Sequence, residues 1–225
     1  MRNLLLGLFL VAIPMSAFSQ SALCRDAAEE SHHRVVLESA QVRVLLLELP
    51  RIASTESFCY AGPYVYIALG EGRSSITPEG KGTFSRDWRG AEAQIVHQPQ
   101  LQVIRNESGN TFRELVVELR RGVEYDAMMD YSAPDMFPPD LGSVKATWAV
   151  SFVAGGVKFS RVQLAAGEAI RVNRAQHLLV ALNDLTMEQT GAQSVSLGAQ
   201  EFSNVNAGTL TNAGRDTARF IVIEY

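Results

Sequence analysis

Two stretches of this chain are versions of one another, and their relation limits the fold more than any other feature. Pro63-Tyr64-Val65-Tyr66-Ile67-Ala68-Leu69-Gly70-Glu71 returns 113 positions later as Gln176-His177-Leu178-Leu179-Val180-Ala181-Leu182-Asn183-Asp184. Each is a short run of β-branched, aromatic and leucine residues that stops at a small or acidic turn residue, the pattern of a buried strand. The likeness extends on both sides. Val42-Arg43-Val44 answers Val157-Lys158-Phe159 and Leu49 answers Leu164, both at an offset of 115, while Asn106, Thr111, Arg113 and Glu118 answer Asn212, Thr217, Arg219 and Glu224 at 106. An offset that falls while the order is kept means loops of different length on one strand plan, as a duplicated unit leaves.

Within the first copy, residues 42–49 form a strand ended by Pro50, and 74–77 enter a hairpin across Pro78-Glu79-Gly80-Lys81-Gly82. Residues 94–97, 101–104 and 115–119 are further strands, and 26–39 read as a loosely packed segment or a first edge strand. No segment sustains an apolar period of 3.6, so the class is all-β. Short strands with turns every 8 to 12 residues or so, in units of roughly 100 residues, fit small antiparallel sandwiches or barrels, of which the jelly roll protects its edges. The expected organisation is a leader at 1–19, a first barrel at 20–124, a connector at 125–142 carrying Pro134, Pro138 and Pro139 among acidic residues, and a second barrel at 143–225.

The leader is read from Arg2, an apolar run over 4–14, and the small-x-small pattern Ala17-Phe18-Ser19 ahead of Gln20. That is the form of a secretory signal peptide, with export to the periplasm or beyond. Cys24 and Cys59 are the only cysteines, and in an exported chain they permit one disulfide or remain two free thiols. The formal net charge is −4, about −5 once Arg2 leaves with the leader, and no basic block exceeds Arg120-Arg121. A nucleic-acid partner is excluded on that ground. Past the leader no apolar stretch is long enough to span a bilayer. No GxSxG, HExxH, GxxxxGK[ST] or GxGxxG pattern occurs, so the common hydrolase, zinc-protease and nucleotide-binding classes have no support.

The strand order, the stretches PYVYIALGEG and HLLVALND, and the turns Asn106-Glu107-Ser108-Gly109 and Asn212-Ala213-Gly214 leading into FRELVVEL and ARFIVIEY carry a family resemblance. Residues 40–225 resemble the cupins, and among them the two-domain bicupins. The resemblance implies two tandem jelly-roll β-barrels. In that family three histidines and a glutamate, from motifs of the form Gx5HxHx3-4Ex6G and Gx5PxGx2Hx3N, bind one divalent metal inside the barrel. Carried onto this chain, Tyr64 stands near the glutamate position, Phe58 and Tyr60 (or Ser57 and Cys59) at the histidine pair, and Gln102 at the second-motif histidine. In the second copy His177 takes the glutamate place, Arg171 and Asn173 the histidine pair, and Gly208 the last histidine.

No HxH occurs anywhere in the chain, so no metal ligand, cofactor or catalytic residue is assigned. Tyr60, Tyr64, Gln102, Arg171, Asn173 and His177 remain as residues placed to touch a ligand. The function implied is an exported bicupin-like protein without the metal, binding a small organic molecule or serving as a scaffold. The alternative is a cupin-type enzyme, a dioxygenase, isomerase or decarboxylase acting on a small acid or sugar, with Arg171 clamping a carboxylate and His177 moving a proton. Self-association into a homo-oligomer through barrel edges is usual for the family and compatible with either. His32-His33 reads as a solvated pair, because adjacent histidines on a strand point to opposite faces. His97 reads as a semi-buried imidazole, and Asn106-Glu107-Ser108 is formally a glycosylation sequon.

Overall fold

A computed structural model of the chain describes residues 24–120, 147–191 and 194–225. The expected leader and connector lie outside the described residues. A single turn of 3-10 helix, Ala27–Glu29, precedes strands β1 His33–Glu38, β2 Val42–Leu49, β3 Tyr64–Ala68, β4 Gly72–Pro78, β5 Phe84–Trp88, β6 Ala93–Val96, β7 Gln102–Asn106 and β8 Phe112–Leu119. The second half comprises β9 Trp148–Ala154, β10 Val157–Leu164, β11 Ala169–Ala181, β12 Leu185–Gln189, β13 Val195–Leu197, β14 Phe202–Asn212 and β15 Ala218–Glu224. In the first half a five-stranded sheet, β1-β2-β8-β3-β6, faces a three-stranded one, β5-β4-β7. In the second half a single seven-stranded sheet, β13-β12-β14-β11-β15-β10-β9, wraps round. The expected segment 26–39 supplies an edge strand, β1, which among the described residues pairs only with β2 and bulges between Val35 and Leu37. No helix among the described residues is long and apolar enough to cross a membrane.

The two halves share their marker hydrogen bonds. Asn106 Nδ2 donates to the carbonyls of Leu49 at 2.9 Å and Asn110 at 2.8 Å, and its Oδ1 accepts from Ser108 N at 2.7 Å. Asn212 does the same with Leu164 at 3.0 Å, Asp216 at 2.8 Å and Gly214 N at 3.0 Å. One asparagine thus ties each barrel's last hairpin to the end of its second strand, β2 or β10. Full burial of Asn106 also leaves the sequon's amide no access to solvent. Tyr64 faces Val96 and Glu118 in register, and His177 faces Val205 and Glu224. A further match joins turns of unlike sequence: Ala91 N donates to Ala68 O and Gln200 N to Ala181 O, each at 2.8 Å, from residues that both adopt positive φ.

Three apolar layers hold the chain. Leu45, Leu47, Leu49, Tyr64, Tyr66, Trp88 and Val116 belong to the first barrel's interior, and Val162, Leu179, Met187, Leu197, Phe220 and Val222 to the second's. Between the barrels, Val44, Leu46, Val65, Ile67, Leu115 and Val117 pack with Phe159, Leu178, Val180, Ile221 and Ile223. Strands β2, β3, β8 and β15 are therefore buried on both faces. That is why their centres, 44–47, 64–68, 115–117 and 220–223, read as continuous apolar runs and not as the alternation of a half-solvated sheet.

Candidate functional site in the first barrel

Strand β8 turns Phe112 and Val116 into the first barrel and Leu115, Val117 and Leu119 toward the second. Strand periodicity sends Glu114 inward with Phe112 and Val116. There it stands opposite Leu47 on β2 and Ala68 on β3. Its carboxyl has neither hydrogen bond nor ion pair among the described residues, and burial pushes it up to about 8. At neutral pH it is a neutral acid, because water that would solvate the anion is excluded.

Around it runs an arc of rings. Centroids lie 5.1 Å apart for Phe58 and Tyr60, 4.2 Å for Tyr60 and Tyr64, 6.2 Å for Tyr64 and Tyr66, 5.3 Å for Tyr66 and Trp88, and 6.5 Å for Trp88 and Phe112. The polar tips are used. Tyr66 OH donates to Gln94 Oε1, Trp88 Nε1 to Ser74 Oγ at 2.7 Å, and Gln102 Nε2 to Tyr64 OH at 3.4 Å.

The segment before β1 closes one side of this arc. The Cys24–Cys59 disulfide is formed, Ala27 N donates to Cys59 O and Cys59 N to Arg25 O, both at 2.9 Å, and Ala27 is fully buried against the aromatic cluster. Arg43 bridges Asp26, at 2.8 Å, and Glu118; its pKa is raised first by the hydrogen bond to Glu118, against burial, and then by that to Asp26. Glu30 sits beside both neighbouring imidazoles, 2.7 Å from His33 Nδ1 and 2.9 Å from His32 Nδ1. His33 Nε2 is 3.1 Å from Tyr60 OH.

Burial lowers the His33 pKa against the pull of Glu30, so the ring is neutral. Its Nδ1–H then donates to the Glu30 carboxylate and its Nε2 accepts from Tyr60. Burial raises the Tyr60 hydroxyl well above the usual range, with the Glu114 charge next in order. The sequence predicts a solvated His32-His33 pair. The structure corrects this: His33 is fully buried, and the spacing Glu30-x-x-His33, closed by the 3-10 turn, is the signal that pointed to it.

Of the residues singled out from the sequence, Tyr60, Tyr64 and Gln102 come together inside the first barrel. His177 is buried in the second barrel, with Nδ1 donating to Val205 O at 3.2 Å and Nε2 3.7 Å from Glu224, whose other oxygen meets Lys158 at 2.8 Å. Arg171 and Asn173 do not join it. Val172 faces the interior, paired with Gly208 as Phe58 is with Gln102, and the residues on either side of it are exposed. A register one residue away from the expected one moves a side chain to the other face of its strand. Only the Asn173 backbone N–H reaches inward, to Glu224 Oε1 at 3.3 Å. Glu30, His33, Trp88 and Glu114 are the residues that sequence reasoning missed. At the barrel end, Arg43, Gly62, Pro63, Glu118 and Arg120 line a cleft of about 380 Å³.

These side chains do not fit a divalent metal. Phe58 has no lone pair, Tyr60 and Tyr64 are engaged neutral phenols, Gln102 is an amide, and Glu114 is a single protonated carboxyl, whereas such an ion needs several imidazoles, thiolates or carboxylates converging. Among the described residues no group of three or more His, Cys, Asp or Glu side chains is arranged to hold one.

The fold and this interior define a two-barrel cupin fold. A cupin 2 conserved barrel domain protein from Leptotrichia buccalis superimposes with a TM-score of 0.58 at 11% identity, over 88% of this chain and 89% of that one. AerE from Microcystis aeruginosa gives 0.58 at 10%, over 81% and 86%, and a Lactobacillus farciminis oxalate decarboxylase in a formate complex gives 0.51 at 9%, over 82% and 77%. No family model matches the sequence, and no curated protein matches it. The likeness is one of fold.

Proposed function

We propose that this is an exported, metal-independent, non-catalytic member of the cupin fold whose first barrel binds a small organic ligand and whose second barrel is its scaffold. The observation that carries the reading is the set of side chains at the positions where cupins hold their metal: Phe58, Tyr60, Tyr64 and Gln102, with the neutral Glu114 beside them. Export is supported by the leader pattern and by the Cys24–Cys59 disulfide, a bond that persists in oxidising compartments. Elemental analysis of purified protein tests it. The expected result is no stoichiometric manganese, iron, zinc or nickel and a melting temperature indifferent to chelators; about one metal per chain overturns it.

A second reading, a cupin-type enzyme acting on a small acid or sugar, draws on the chain Glu30–His33–Tyr60, which has the form of a carboxylate-oriented imidazole beside a hydroxyl. It requires turnover of such a substrate by the purified protein, lost in His33→Gln.

A further inference from the structure

Comparing the barrels position by position separates what the fold requires from what the first barrel adds. Register equates Tyr66 with Leu179, Trp88 with Leu197, Phe112 with Ala218, Ser74 with Met187 and Glu114 with Phe220. Apart from the buried His177 and Gln189, the second barrel closes on aliphatic residues and one phenylalanine. The same sheet plan therefore needs neither the ring arc nor a carboxyl at its centre. An unpaired acid in a dry interior opposes folding, and the equivalent Phe220 is an apolar filling for the same place.

We propose that the first barrel binds a small organic ammonium ion, with Glu114 as its counter-ion and the rings of Tyr60, Tyr64 and Tyr66 as its walls. The proposal rests on the ligand-binding reading above and gives it a ligand class. Three features support it. Glu114, Tyr60, Tyr64 and Tyr66 are buried together in the first barrel, and of the two residues opposite Glu114, Leu47 and Ala68, the one on the tyrosine-bearing strand is small. Tyrosine faces attract alkylammonium cations, most strongly where water is excluded. Among the described residues no cationic side chain is bound to the acid: Arg43 is taken by Asp26 and Glu118, and Arg86 lies 4.4 Å over Trp88 and pairs with Glu92 at 3.8 Å. Because Arg86 already covers Trp88, that ring is not counted among the walls. An anion would meet a carboxyl and phenol oxygens, and a polyol would find the hydroxyls of Tyr60 and Tyr66 already committed to His33 and Gln94.

Charge linkage follows from the surroundings. The titratable groups near Glu114 are Tyr60 before β3, Tyr64 and Tyr66 on β3, Glu118 on its own strand, and Glu30 with His33 behind Tyr60; β2 presents Leu45, Leu47 and Arg43, the last paired with Glu118. A bound cation favours the ionised acid, which is otherwise neutral below about pH 8. Binding therefore releases a proton at neutral pH and strengthens as pH rises toward 8. A quaternary ammonium, whose charge does not change with pH, isolates the titration of the protein.

The experiment is thermal-shift and calorimetric titration of the full chain with ammonium, methylammonium, trimethylammonium and tetramethylammonium chlorides, against matched potassium chloride, from pH 6 to 9. At least one of these ions is expected to raise the melting temperature beyond the potassium control, with apparent affinity rising about tenfold per pH unit below 8, the limit for one coupled proton. Glu114→Gln should lose that response at least tenfold while melting cooperatively in potassium chloride, and Glu188→Gln, at an exposed position, should keep it. No response to any of the four ions, or an equal response in Glu114→Gln, overturns the proposal. Metal content measured on the same preparation keeps the outcomes apart: metal-free protein indifferent to ammonium ions refutes the ligand class alone, whereas stoichiometric metal refutes the metal-independent reading.

Discussion

Glu114 is the residue at which folding and function pull apart. Its pKa stands at about 8 in the folded chain against an ordinary carboxylate value of 4.5, so the unfolded chain holds fewer protons between those limits. Stability from this group is complete below about pH 4.5 and declines as pH rises through 8. At 1.36 kcal/mol per unit, the cost at pH 7 is about 3 kcal/mol. Glu114→Gln keeps the shape without the charge, so its urea midpoint at pH 7 to 8 should exceed that of the wild type, with the two converging near pH 4.5. A wild-type profile flat between pH 5 and 8 would show that the carboxyl is solvated after all. This residue was hard to find in the sequence for a physical reason. Facing is read from alternation, and β8 is buried on both sides, so nothing in the sequence marks whether the set of Phe112, Glu114 and Val116 or the set of Arg113, Leu115 and Val117 faces the barrel interior. Arg171 and Asn173 failed in the converse way: the register shift between Val172 and Gln176 breaks the count by which they were assigned to the interior.

At the scale of elements, the segment from Cys24 to β1 behaves as a clip on the first barrel. It contributes Asp26 to Arg43, Ala27 to the core, and Glu30 and His33 to Tyr60, and the disulfide closes a sequence separation of 35 residues. A cross-link of that span removes chain entropy from the unfolded state worth about 4 kcal/mol. Reduction should therefore lower the urea midpoint by an amount that the double variant Cys24→Ser, Cys59→Ser reproduces in oxidising buffer; equal midpoints with and without reductant would mean that the bond does not form in solution. The duplicated elements were legible because their marker residues keep their roles: Asn106 and Asn212 make the same bonds, and Leu49 and Leu164 accept them. The match of Ala91 with Gln200 was not, since the turn needs a left-handed backbone at that point and unlike side chains supply it.

For the whole molecule, the layer between the barrels decides whether the chain has one folding unit or two. That layer is one apolar cluster, with Arg161 and Gln163 buried beside it on β10, and its members sit on the central strands of both sheets, so exposing it in one barrel strips a face of the other. Two independently folding barrels would leave this surface partly polar; one cooperative unit would make it continuous, as found. Phe159, fully buried and stacked on Phe152 at 4.8 Å, tests the coupling from the second barrel's side. Phe159→Ala removes about 3 to 5 kcal/mol of packing and transfer energy. With cooperative barrels that loss is transmitted: the indole N–H resonance of Trp88, inside the first barrel, disappears at a lower temperature in the variant, in step with the loss of strand signal by circular dichroism. If Trp88 instead melts at the wild-type temperature while part of the strand signal is lost earlier, the barrels unfold separately and the shared layer is only a contact between finished domains.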